Sequence, residues 1–257
     1  MQGGVIIIGS LLWDQKPERI IWRKELDFKN KLHIKLPIRY GRSSSGDRKD
    51  TYSMVFSKDF ERYNKLGQGL MIPISSEINT IQDFESQINL LAKAEGFRGN
   101  RICADWGTVC LKINPATSDA NREFLLHNWS NLVKTNINNR KVNQTIPLIS
   151  DFGEVNEEKS ITEDLLLNLN DDIFNNFKNV DFILATSNAL KHRGSNDKKY
   201  PTKKEIAQAI VDGKYIKYFL KNRENKIRTF EDNIISKILK KNYRVKLRRH
   251  YPLNCVS

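Results

Sequence analysis

Cysteine is scarce in this chain. Cys103, Cys110 and Cys255 show neither a metal-binding spacing nor an even-numbered disulfide framework. A reducing compartment is the simplest expectation, and with it a cytoplasmic location. Histidine is equally thin: His33, His127, His192 and His250 form no ligand pair at the usual offsets, so no metal is expected. No apolar run approaches the roughly 20 residues that span a bilayer, and the first residues have neither the basic lead nor the apolar core of a signal peptide. Neither Gly-x-x-x-x-Gly-Lys nor Gly-x-Gly-x-x-Gly occurs, which removes the common nucleotide-binding loops. Internal repeats are absent as well.

What is present is a chain of 257 residues, 39% hydrophobic and 28% charged, long enough to bury a sizeable core. Its formal charge is +13 and its pI about 9.6. Such a balance fits a nucleic-acid or acidic partner, and equally a composition rich in Lys and Asn.

The chain is organised around Val5-Ile6-Ile7-Ile8-Gly9-Ser10-Leu11-Leu12-Trp13. Its β-branched run reads as a buried strand. Gly9 lets the backbone turn and approach its surroundings closely. The segment after it is either a plain turn or a loop whose N–H groups face a ligand oxygen.

Pro17 suits a first helical position, with a short helix through Ile20 and Trp22. Residues 32–40 alternate as a half-buried strand that Pro37 makes an edge or bulged one. A polar loop follows, with Arg39, Arg42, Arg48 and Lys49 in and beside it. Residues 51–57, 68–74, 105–113 and 180–186 read as further strands, and 145–149 as a short edge strand.

Residues 80–96 carry the best-marked helix, with Thr80 and Asp83 at its start and Gly96 at its end. Its apolar stripe, Ile81, Phe84, Ile88, Leu91 and Ala92, continues onto Glu95. Either Glu95 is buried, with a raised pKa suited to proton transfer, or the last turn rises from the core and leaves it solvated. Further helices are expected from Ser118, with Phe124, Leu125, Trp129 and Leu132 as its stripe, over 163–177, from Thr202 to Gly213, and over 229–241. Beyond residue 215 the composition turns basic. That segment is either a basic appendage or a docked amphipathic helix with a solvated outer face.

Several of these stretches together resemble the gamma-glutamylcyclotransferase-like superfamily, its glutathione-specific branch most. Gly9-Ser10-Leu11-Leu12-Trp13 is similar to the family's Tyr-Gly-Ser-Leu substrate loop, with Ile8 in place of the Tyr. Residues 39–55 resemble its Arg-rich stretch before a strand, and Ala94-Glu95-Gly96 its catalytic Glu-Gly. A second register aligns Trp106-Gly107-Thr108-Val109 with the strand before the acid and moves the acid to Glu123. The resemblance covers residues 5–115, extends more weakly to about 215, and does not reach 216–257.

It implies a mixed α/β fold, with a small closed or nearly closed sheet and outer helices over residues 1–215, and 216–257 as a basic helical extension. It implies an enzyme that releases 5-oxoproline from a gamma-glutamyl amide. Glu95 would be the acid and base, with Glu123 as the second choice. Gly9, Ser10, Leu11, Leu12, Arg39 and Arg42 would bind substrate, and no cofactor would be needed. The alternative is an inactive binding protein on the same fold, its basic loop and tail contacting nucleic acid or an acidic partner. No membrane partner is expected.

Overall fold

In a computed structural model, residues 1–44, 49–99, 101–138, 148–177, 179–195 and 197–243 are described. Arg48, residues 145–147 of the expected edge strand, Cys255, His250 and the basic tail beyond Tyr243 lie outside them.

The molecule is a mixed α/β structure built on a six-stranded sheet. The strands are β1 (Gly3–Ile7), β2 (Leu32–Leu36), β5 (Gly67–Pro73), β6 (Cys103–Ala104), β7 (Gly107–Ile113) and β8 (Phe182–Asn188), in the order β2-β5-β1-β8-β7-β6. Only β1 and β8 run parallel; the other neighbours are antiparallel. This is not the flat parallel sheet of a doubly wound fold. A separate hairpin pairs β3 (Ile38–Ser44) with β4 (Thr51–Phe56). Pro37 separates β2 from β3, because a proline cannot donate to the ladder.

β1 is buried along its whole length, as its unbroken apolar run requires. The helix α3 (Ile81–Glu95) begins with the expected capping box, Thr80 and Asp83 each bonding the other's backbone, and ends at Gly96 with φ of +108°. Phe84, Ile88, Leu91 and Ala92 face the core. α1 (Pro17–Arg23), α2 (Lys58–Arg62), α4 (Asp119–Asn138) and α5 (Lys203–Asp212) complete this part. Among the described residues, no helix is long and apolar enough to cross a membrane.

Three expectations need correction. No helix spans 163–177. Leu165, Leu167 and Leu169 are buried while Leu166 and Asn168 are less so. This is the two-residue period of an extended segment, bridged to β7 at Leu111–Leu166. A short turn over Asp171–Phe174 follows. The strand expected over 105–113 begins only at Gly107, since Asp105 and Trp106 form the turn between β6 and β7. Ile149 opens a 3-10 turn rather than ending a strand.

The basic segment is packed into the body as far as it is described. α6 (Lys217–Glu224) and α7 (Asp232–Tyr243) contribute Tyr218, Phe219, Ile235 and Leu239 to the same apolar cluster as β1, with Ile227 between them. As far as it is described, this part of the chain has the form of docked helices with a buried apolar face.

Candidate active site

β1 delivers the chain to Gly9, and a 3-10 turn over Ser10–Leu12 follows at once. Four side chains on other elements hold this loop: Arg19, Arg23, Asn222 and Tyr218. Arg19, on α1, is only 3% exposed. Its guanidinium donates from Nη1 to Ser10 Oγ at 2.9 Å and from Nε to the Ala94 carbonyl at 2.9 Å, and it pairs with Asp14 at 3.0 Å. Ala94 lies in the last turn of α3, where carbonyls have no partner within the helix. One buried cation therefore caps α3 and ties the residue before Glu95 to Ser10. One turn further along α1, Arg23 donates to the Leu11 carbonyl at 2.7 Å. Burial, and next the Arg19 charge, lower the Arg23 pKa, while Asp14 works in the opposite direction.

On the other side, Trp13 Nε1 donates to Asn222 Oδ1 of α6 at 2.7 Å, and its ring meets Tyr218 edge-on at 6.1 Å. A Cβ on residue 9 would lie 2.7 Å from the Tyr218 hydroxyl oxygen. Glycine is thus needed here for close approach and not for a left-handed turn.

Ile8, Gly9, Ser10, Leu11 and Glu95 line one small inner cavity of about 30 Å³, together with Ser53, Met54, Thr186, Asn188 and Tyr218. Glu95, Ser53 and Asn188 also line an outer cleft of about 270 Å³, whose other walls include Asp14, Lys16, Arg19, Arg42, Trp106 and Tyr215. Glu95 is half-buried, between the two expectations set for it. The two stretches singled out in the sequence therefore meet, brought together by Arg19 and by the docking of α3 on the sheet.

The remaining candidates separate. Arg42 lines the outer cleft and donates to the Ala189 carbonyl at 3.0 Å. Burial lowers its pKa, and the Asp105 and Asp151 charges offset part of that. Arg39, three positions earlier on β3, does not reach the cleft. Its guanidinium carbon sits 3.8 Å from the ring centre of Tyr200 and 4.4 Å from that of Phe60. This stacking gives it a packing role. Leu12 is half-buried and closes the 3-10 turn without lining either cavity. Glu123 is exposed on α4 and lines neither cavity.

Sequence reasoning did not single out Arg19, Arg23, Asn188 or Tyr218. Arg19 and Arg23 carry a readable signal, since they stand four apart on a short helix whose buried aromatic is Trp22. Asn188 has none, being the last residue of β8. Its carboxamide oxygen is buried, with no hydrogen-bond partner among the described residues. An unsatisfied polar group in a cleft wall suits a ligand that supplies the missing bond.

Among the described residues no group of three or more His, Cys, Asp or Glu is placed to hold a metal ion. Comparison of the chain with protein-family models, with curated proteins and with solved structures finds no match in any of the three.

Proposed function

We propose that the chain is an enzyme of the gamma-glutamylcyclotransferase type, releasing 5-oxoproline from a gamma-glutamyl amide. The observation that carries this reading is the shared inner cavity: Glu95 at the end of α3 and the Gly9–Leu11 loop at the end of β1 line one space. The hairpin β3–β4 lends Ser53 and Met54 to that space, and we take hairpin and sheet together as a partly closed barrel around it.

The chemistry needs no protein nucleophile. Glu95 takes a proton from the substrate α-ammonium, and the freed amine attacks the γ-carbonyl carbon. A new C–N bond forms and the carbonyl oxygen becomes an oxyanion, which backbone N–H groups of the Gly9–Leu11 loop can stabilise. Collapse breaks the original amide C–N bond. Glu95 returns its proton to the departing nitrogen, and the second proton, which the ring nitrogen sheds after attack, leaves with the amine in its ammonium form, so that 5-oxoproline remains. The Asn188 carboxamide can orient the ammonium, and Arg42 in the outer cleft can attract a carboxylate of the substrate. Binding energy is used here to hold amine and carbonyl at attack distance.

The test is to incubate the purified chain with glutathione, gamma-glutamyl amino acids and gamma-glutamyl amines, and to quantify 5-oxoproline. Turnover of at least one class is expected. Silence on all three would remove the activity and leave a binding protein on this fold as the surviving reading.

A further inference from the structure

Most aromatic side chains of this chain are buried or half-buried. Among the described residues only two are exposed, Tyr63 at 58% and Phe230 at 51%. Both lie on one surface, and neither lines the inner cavity or the outer cleft of the candidate active site. Phe230 packs edge-on against Phe60 of α2, with ring centres 6.4 Å apart. The Lys65 ammonium stands 5.8 Å from the Phe60 ring centre and 5.4 Å from that of Tyr63.

The register of the sheet sets cations beside these rings. Lys35 of β2 stands opposite Gln68 of β5. Gln68 in turn exchanges both backbone hydrogen bonds with Arg228, at 2.7 and 2.9 Å. Residues directly opposite share a face, as do residues two apart on an extended segment. His33, Lys35, Arg228 and Phe230 therefore share the outer face, while Ile34, Leu36, Ile227 and Thr229 are buried. Burial lowers the His33 pKa, and the Lys226 and Lys31 charges lower it further, so positive potential converges here. Among the described residues, Lys35, Arg62, Lys65, Lys226 and Arg228 form no ion pair. The carboxylates next to the rings are engaged elsewhere: Glu61 with Lys58 and the Asn170 N–H, Glu231 with Lys203.

We propose that this face binds single-stranded nucleic acid, with phosphates on the cations and unpaired bases stacked on Tyr63 and Phe230. Every base has a π-face, so cations and rings together recognise such a strand without a fixed sequence. An acidic peptide would use the cations and leave the rings unused. A duplex keeps its base faces inside its own stack. The surface involves neither the basic loop around Arg42 nor the tail beyond Tyr243, and it is independent of the activity proposed above.

The experiment measures fluorescence anisotropy of a labelled thymidine dodecamer, a uridine dodecamer, a duplex of the same length and polyglutamate with the full chain, over a salt titration. The variants are Tyr63→Ala, Phe230→Ala, Lys35→Gln and Arg228→Gln, with melting temperature as the control for folding. The dodecamers should bind more tightly than duplex or polyglutamate, and the stronger of the two assigns the strand to DNA or RNA. Each ring substitution changes no charge and should weaken dodecamer binding by about fivefold to a hundredfold, the range for one stacked base. Lys35→Gln and Arg228→Gln should each flatten the slope of log affinity against log salt by about 0.7, the share of one single-strand phosphate.

If Phe230→Ala lowers the melting temperature, Tyr63→Ala decides, since that ring is the more exposed. Native affinity in the ring variants overturns the proposal, because charge alone would then account for binding. Duplex or polyglutamate bound as tightly as the dodecamers, or dodecamers left unbound at low salt, overturns it as well. 5-Oxoproline release should be the same in all four variants, and its absence from the native chain would remove the proposed activity without touching this surface.

Discussion

On its α1 side the loop at residues 9–14 is held by two guanidinium groups, Arg19 and Arg23; on its α6 side by a phenol, a carboxamide and ring contacts. The two sides use different physics. Arg19 satisfies several acceptors at once, and its loss would leave Ser10 and the Ala94 carbonyl, both buried, without that donor. The α6 side works by shape: Gly9 makes room for Tyr218, and Asn222 takes one indole proton. Charge on that side lies one layer back. Asp232 of α7 is buried, accepts from the Thr229 backbone and hydroxyl, and lies 3.8 Å from Arg223.

Removing the charged side should cost most. Arg19→Met leaves Asp14, Ser10 and the Ala94 carbonyl without their donor, and should lower unfolding stability by about 3–5 kcal/mol in urea titration. Activity should fall further than stability accounts for, since the α3 cap and the loop are released together. A cost near zero would mean that α3 and the loop are held by apolar packing alone.

The layer behind α6 should show itself through pH. Burial raises the Asp232 pKa to about 6, against the hydrogen bonds from Thr229 that lower it. The folded state therefore binds this proton more tightly than the unfolded chain does. The contribution is fully present below the ordinary carboxylate pKa near 3.8 and is lost as pH rises through about 6. Its size is roughly 3 kcal/mol. Asp232→Asn should flatten the stability profile between those values while keeping an acceptor for Thr229. An unchanged slope would place the titration on another group.

The shape side should respond least. Gly9→Ala drives a methyl group against the Tyr218 hydroxyl, for an expected cost of about 1–3 kcal/mol. Combining it with Tyr218→Phe removes the clashing oxygen, so the double variant should lose less than the sum of the two. Strict additivity would show that the loop shifts away from α6 without strain.

The sequence made the strand-to-loop transition at Gly9 legible because β-branched runs and a following glycine are local signals. The α3 caps were legible for the same reason: Thr80, Asp83 and Gly96 act within a few residues of each other. Residues 163–177 were misread because three leucines spaced by two, followed by Ile173 and Phe174, also satisfy a loose helical stripe. Arg39 and Arg42 were indistinguishable in sequence. Plain alternation would put them on opposite faces; the register shift between Tyr40 and Arg42 pairs them with Val55 and Ser53, on one face, so that they differ by position along the strand, Arg39 beside Tyr200 and Arg42 at the cleft. Tyr218 was out of reach, because its distance to Gly9 is set by the packing of α6 and by no local pattern.

The central claim is that the carboxylate sharing a cavity with the Gly9–Leu11 loop moves the proton. Parallel rate measurements on Glu95→Gln and Glu123→Gln test it most directly, with 5-oxoproline release as the readout and melting temperature as the control for folding. Glu95→Gln should lose activity by on the order of a hundredfold to ten-thousandfold, the usual scale for a general acid–base group. Glu123→Gln, altering an exposed residue of α4, should match the native chain. A Glu95→Gln protein that keeps its full rate, or a Glu123→Gln protein that loses it, would contradict the account.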